Sequence, residues 1–499
     1  MSTATSIISC GSDKLDAWTR RSQPKIEIYL AGQKPGHVNS YTTGESIDGT
    51  ITVTVEHETR FDEIEILFEG VSRTTVERAS CPGRTGSQQM FLKLRQPIDE
   101  LEYPTPRVLE SGRSYEYPFT FVVPDRLLPQ VCTHAKKNAH IHRSHTMLPP
   151  TLGDPILASN GKTLLDDMAP SMSQIGYTVR ASVLQKQLTG HGVVAISAIA
   201  KKIRIIPTVE EEPPVEISGS PSLCTRKEKS VKRGTLRGKL GRIVASSSQP
   251  KPIQLLPPDG EPTDTVSTVA TVNLRFDPVG DEQPPPLGTM TSKLRASTFF
   301  SASPWDDFPS TTGMPFAHIG CGLYTESVPL LTMCVASAQW TKQSTAADTI
   351  RRDSTDSSSS DSSTSPSSAF TGDTFYTASV VVPVTLPKSK AFVPTFHCCL
   401  MSRVYSLDLS LTYHTPAANL MTPTISLRLP VQFISQAKSA ESIKTELGVT
   451  VTQQELEEFF NPRNVTSPTD FSNTHSEVVD VGLAPPEYSE RLSTARASR

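Results

Sequence analysis

Between Cys132 and His145 the chain carries five side chains of metal-ligating type, Cys132, His134, His140, His142 and His145, within fourteen residues. Thiolate and imidazole are donors that suit zinc. The spacing matches no common zinc framework, however, and Lys136, Lys137 and Arg143 place positive charge where a cation would have to sit. On this pattern the stretch reads as a basic loop that meets anions, and neither metal nor cofactor is assigned to it. Elsewhere no Ser-His-Asp order, Gly-rich phosphate loop or paired-carboxylate motif stands out. The chain reads as a binding protein, not an enzyme.

A second concentration of charge sets Arg226, Lys227, Lys229, Lys232, Arg233, Arg237, Lys239 and Arg242 against one acid, Glu228. One reading is a wet strand face. The other is a patch for anionic lipid or phosphorylated tails, where each cation contributes about 1 kcal/mol beside an anionic membrane. Interleaved glycines and the lack of interleaved aromatics argue against nucleic acid. Ser354 to Ser368 holds ten Ser, two Thr, two Asp and one Pro, which cannot build a core. It is either a spacer or a multisite phosphorylation segment, each phosphate adding about −1.5 to −2 charges that could fold back onto the basic runs. Near the C-terminal end, Pro485 and Pro486 fix φ and remove two donors, and Tyr488 sets a ring two residues on. That is the shape an aromatic-lined WW groove accepts.

These groups need elements to hold them. A chain of 499 residues is too long for one core, while 36% hydrophobic content and 41 prolines leave part of it unable to bury one. Period-two alternation recurs: Ile26, Ile28, Leu30; Ile51, Val53, Val55; Ile64, Ile66, Phe68; Tyr115 to Val123; Ile175 to Val183; Val272, Leu274, Phe276; Tyr405 to Tyr413; Ile425 to Phe433. Alternation of this kind means half-buried antiparallel strands, and so many of them argue for β-sandwiches. Pro430 suggests an edge or a bulge. The organisation expected is a flexible 1–23, a sandwich over 24–208, an acidic Pro-rich hinge over 209–222 and a second sandwich over 223–436. That second sandwich is interrupted by a disordered insertion at about 341–374, and a tail follows over 437–499. Within the tail, Thr452 and Glu455 form a capping box ahead of a short helix at about 453–460.

Met1 to Arg21 lacks the apolar core of a signal peptide, runs such as Gly192 to Ala200 are too short to span a membrane, and neither common lipidation signal is present. The eight cysteines follow no disulfide spacing. A soluble cytoplasmic protein of a reducing compartment is expected, recruited peripherally to plasma membrane or endosomes.

Several stretches resemble the fungal arrestin-like family of trafficking adaptors. They are Tyr117-Pro-Phe-Thr-Phe-Val-Val-Pro124-Asp-Arg-Leu-Leu-Pro129 running through Cys132-x-His134 to Leu148-Pro-Pro-Thr-Leu-Gly-Asp154, Val272-Asn-Leu-Arg-Phe-Asp-Pro278, Lys293-Leu-Arg-Ala-Ser-Thr-Phe-Phe300 and Cys399-Leu-Met-Ser-Arg403-Val-Tyr405. The resemblance implies an all-β protein of two tandem arrestin-like, immunoglobulin-type lobes. It also implies an adaptor that binds cytosolic tails of membrane transporters or receptors and recruits a HECT-type ubiquitin ligase through WW domains. Cargo ubiquitylation and endocytosis would follow, with ubiquitin also a possible covalent modification of the adaptor. One Pro-Pro-x-Tyr stands here where relatives often carry more. The alternatives are a ligase-independent scaffold for receptor signalling or vesicle sorting, and a metalloenzyme built on the histidine stretch.

Overall fold

Where the sequence alternates, the chain forms strands. Over Ser114–Val122 the residues Tyr115, Tyr117, Phe119 and Phe121 are buried, and those between them are exposed. The computed structural model describes residues 23–436 except 35, 78–83, 136, 160–163, 188–191, 214–222, 234–237, 257–265, 310–319, 345–364, 369 and 416–421. The tail helix at 453–460 and the Pro-Pro-x-Tyr run lie outside the described residues, as does most of the serine-rich stretch.

The described chain is all-β apart from a few short helical turns. Lys25–Leu30, Ser46–Thr54 and Ser114–Val122 form one antiparallel sheet. A five-stranded sheet faces it in the order Ser40–Tyr41, Val193–Ile205, Ser173–Lys186, Glu63–Glu77, Arg84–Gln96. Their inward residues share one core, Ile51, Val53, Tyr117 and Phe119 meeting Ile66, Phe68, Tyr177 and Val179. Mid-strand Gly70 makes room for the rings, since a Cβ there would lie 2.5 Å from Phe91 and 2.9 Å from Tyr177. The fully buried Tyr177 hydroxyl donates to the carbonyl of Pro149 at 2.5 Å, satisfying a polar tip inside an apolar body.

A second core lies between two further sheets. One runs Arg226–Lys232, Lys239–Ser246, Ser267–Pro278, Thr374–Thr385, Thr341–Ser344. The other runs Cys321–Cys334, Leu287–Ser301, Met401–Tyr413, with Phe396–His397 and Thr424–Val431 both pairing Met401–Tyr413. Leu274, Phe276 and Val382 meet Leu294, Leu407 and Leu429 there. Pro430 falls near the end of Thr424–Val431, which pairs one neighbouring strand and otherwise makes only an isolated bridge at Cys224. A missing donor is tolerated on such an edge. The expected insertion is narrower than 341–374: Thr341–Ser344 pairs with Thr374–Thr377 as a strand, and Ser365–Ser368 are held by hydrogen bonds.

The two cores are knit together. Phe300, Val393, Phe396, Cys398 and Met401 pack into the first core, and Met168 plugs the second. Arg403 is fully buried: its Nη1 and Nη2 donate to the carbonyls of Asp167 and Met168 at 3.0 and 3.1 Å, and its Nε donates to Thr298 Oγ1 at 2.9 Å. The Asp167 carboxylate accepts from Gly153 N at 2.6 Å and Ala169 N at 3.1 Å, while its burial pushes its pKa up. No described helix is long and apolar enough to cross a membrane.

Candidate functional site

The histidine stretch departs from its sequence reading. Pro129–Val131 form a single 3-10 turn with Cys132 at its end, tethered where Gln89 Nε2 donates to Val131 O at 3.0 Å. Asn138 then caps a seven-residue helix, Ala139–His145, its side chain accepting from the backbone N of His140 and Ile141. Ile141 and His145, four residues apart, share the buried face of that helix, while Lys137 and Arg143 point to solvent. Two of the cations that argued against a metal, Lys137 and Arg143, thus stand away from the donors, Lys136 lies outside the described residues, and His140 and His142 do not join the donors. His140 packs edge-on against Phe308, and His142 Nε2 lies 3.4 Å from Pro129 O.

Cys132, His134 and His145 are met by a residue the sequence reading left aside. Phe396–His397 and Met401–Tyr413 pair as a hairpin, and Cys399 stands at its tip. Three backbone bonds fix that tip: Cys398 N to Met401 O at 2.8 Å, Trp305 N to Cys399 O at 3.0 Å and Ser301 N to Leu400 O at 2.9 Å. The ligand-type atoms of Cys132, His134, His145 and Cys399 all lie within 4.8 Å of one another. Cys132 Sγ is 3.6 Å from both His134 Nε2 and His145 Nδ1, and those two nitrogens are 3.2 Å apart. Burial pushes the Cys399 thiol up to about 12 and His145 down to about 4, with the neighbouring His134 adding to the latter. Among the described residues, this is the one grouping with metal-ligand geometry.

The basic run occupies the outer strand Arg226–Lys232 and its neighbour Lys239–Ser246. Four of its eight cations are engaged. Arg226 pairs with Glu228 at 2.8 Å and donates to Ser365 O and Pro366 O; Arg242 reaches Glu228 at 3.4 Å and Ser368 Oγ at 3.0 Å. Arg233 pairs with Glu282 at 2.5 Å, and Lys229 donates to Thr424 O at 2.7 Å. Lys227, Lys232 and Lys239 are exposed and make no ion pair among the described residues. Arg237 lies outside those residues. The end of the serine-rich stretch therefore sits on these cations, its carbonyls and one hydroxyl serving as acceptors.

If this surface meets anionic lipid, changing Lys232, Arg233, Arg237 and Lys239 together to Ser lowers affinity for acidic vesicles at least about tenfold at low salt, exposed charges being partly screened. Vesicle sedimentation at low and physiological salt measures this. Binding that is unchanged in the variant, or indifferent to salt, would reduce the patch to a solvated strand face.

Two open grooves lie on the described surface, one of 680 Å³ between Lys227, Lys293 and Asp408, the other of 720 Å³ between Glu63, Arg95 and Arg107. In the first, Arg295 and Arg428 bind Asp408, and in the second Arg95 binds Glu63 and Arg107 binds Glu100.

No family model matches the chain. It is 25% identical over 244 residues to Bypass of stop codon protein 5 of Saccharomyces cerevisiae, a match covering 38% of this chain and 47% of that protein. The chain thus spans about half the length of the curated relative it matches, a distant likeness that leaves the activity to be argued from the residues.

Proposed function

We propose that this protein is an arrestin-like adaptor that binds cytosolic segments of membrane transporters or receptors and presents them to a WW-domain HECT-type ubiquitin ligase, so that the cargo is ubiquitylated and internalised. On this reading it is not itself an enzyme. Its body is a binding platform recruited from the cytoplasm to plasma membrane or endosomes, by cargo and by anionic lipid. The observation that carries the reading is Pro485-Pro486-Glu487-Tyr488, set in sequence after a folded β body whose last described strand is Phe433–Ser435. A pre-extended Pro-Pro-x-Tyr run binds with little ordering entropy left to lose, which suits it to a tail. The two-core, all-β architecture and the quoted sequence resemblance support the same conclusion.

Tyr488→Ala tests it. Removing an aromatic anchor costs about 2 kcal/mol or more, roughly thirtyfold in affinity. A peptide covering residues 482–491 titrated against WW domains, and pull-down with the full chain, measure the loss. Ser489→Ala serves as the control, and thermal unfolding of the full chain should be unaffected by either change. Equal binding by the Tyr488→Ala and control proteins would favour the ligase-independent scaffold.

A further inference from the structure

We propose that Cys132, His134, His145 and Cys399 form a closed structural zinc site that staples the 132–145 segment to the tip of the 396–403 hairpin. Zinc bonds of about 2.3 Å to sulfur and 2.0–2.1 Å to nitrogen, arranged tetrahedrally, put sulfur about 3.6 Å from nitrogen and the two nitrogens about 3.3 Å apart. The measured separations are 3.6, 3.6 and 3.2 Å. Pairwise hydrogen bonds among two thiols and two imidazoles need only two donors to meet at a time. Here all four donor atoms lie within 4.8 Å of one another, against the about 3.8 Å that is the widest separation in a tetrahedral site of these bond lengths.

The donor set chooses the metal. Two thiolates and two imidazoles in tetrahedral array suit zinc, and the two thiolates cancel its charge, so the site can be buried without a net ion. Burial is the condition observed: Cys132, Cys399 and His145 are all 2% exposed or less, and Ala135, Ile141 and Phe308 pack round them. His134 alone is partly exposed, which gives the metal a way in. With four protein ligands no position is left for water or substrate, so the role is structural rather than catalytic. The metal would tie the first core to the second at a point where Ala139–His145 has only seven residues of helix to hold itself.

The test uses the full chain, purified from zinc-supplemented cells and exchanged into metal-free buffer. Elemental analysis is expected to find one zinc per chain. Stripped with a chelator and titrated with Co²⁺, the protein is expected to develop the visible ligand-field bands of a tetrahedral site together with a thiolate-to-cobalt charge-transfer band. His134→Ala, the ligand change least disruptive to packing, and Cys399→Ser are each expected to weaken cobalt binding at least about 100-fold, beyond what loss of an outer-shell partner costs. Cys334→Ser, at an exposed thiol away from the cluster, should leave it unchanged. A wild-type protein that holds no zinc and gives a featureless cobalt titration would overturn the proposal. So would ligand variants that bind cobalt as tightly as wild type. The cobalt spectrum of the unmodified chain stands whether or not a variant folds.

Discussion

Arg403→Ala is expected to destabilise the protein by about 3–5 kcal/mol, seen as a large fall in the denaturation midpoint with the fold otherwise unchanged. Three costs coincide. The carbonyls of Asp167 and Met168 lose their donors, as does Thr298 Oγ1, all in buried surroundings. The space of the largest fully buried side chain in the structure becomes a cavity. Asp167, whose carboxylate burial already pushes toward the neutral form, loses one of the positive charges near it, Arg204 being the other. Met168 adds a fourth consideration, because it sits at φ 58° and only surrounding contacts keep a non-glycine residue there. Arg403→Lys should recover only part of the loss, since an ammonium cannot span three acceptors as a planar fork does. Urea unfolding of the three proteins under identical conditions measures the series. An Arg403→Ala midpoint equal to wild type would show that the contacts between the cores do not depend on this side chain.

Much of this was legible in the chain. Tyr405, Leu407, Leu409, Leu411 and Tyr413 alternate as expected and are all buried, as are Ile64, Ile66 and Phe68. Arg403 was legible in a way not used: it falls on the same alternate phase as Tyr405 and Leu407, so a charge stands where the period calls for an apolar residue. The metal-type cluster was half legible. Cys132, His134 and His145 were on the page, and an Asn cap followed by Ile141 and His145 at helical spacing could have shown which histidine turns inward. Cys399 could not be found that way, because it belongs to a hairpin tip far along the chain and only tertiary packing brings it near. Arg143 weighed against a cation because linear charge density says nothing about the side of a helix on which a charge stands. Arg275 was not legible. Its alternation with Leu274 and Phe276 places it on the outer face of a sheet, and that face proves to be covered.

That cover leads to the remaining expectation, that Arg275→Met costs about 3–5 kcal/mol and loosens the end of the serine-rich stretch. Arg275 and Asp277 are each 4% exposed and pair at 2.7 Å, and the guanidinium lies 3.6 Å over the ring of Phe375 and 4.9 Å over that of Phe370. The second carboxylate oxygen of Asp277 accepts from the backbone of Ser367 at 2.7 Å. Removing the arginine leaves a buried carboxylate facing two aromatic rings, with one backbone amide as its main remaining partner. Such a site either takes up a proton or opens to water. Opening would free Ser365–Ser368 from Arg226, Glu228 and Arg242 and expose those groups to a partner. Asp277→Asn removes the charge while keeping an acceptor, so it should cost less. The double variant should be more stable than the sum of the single changes predicts, by a coupling of about 1–3 kcal/mol. Chemical denaturation supplies the cycle, and limited proteolysis near Ser367 reports release of the segment. If Arg275→Met unfolds at the wild-type midpoint and its proteolysis pattern is unchanged, neither the buried pair nor its hold on the serine-rich stretch has the strength argued for it.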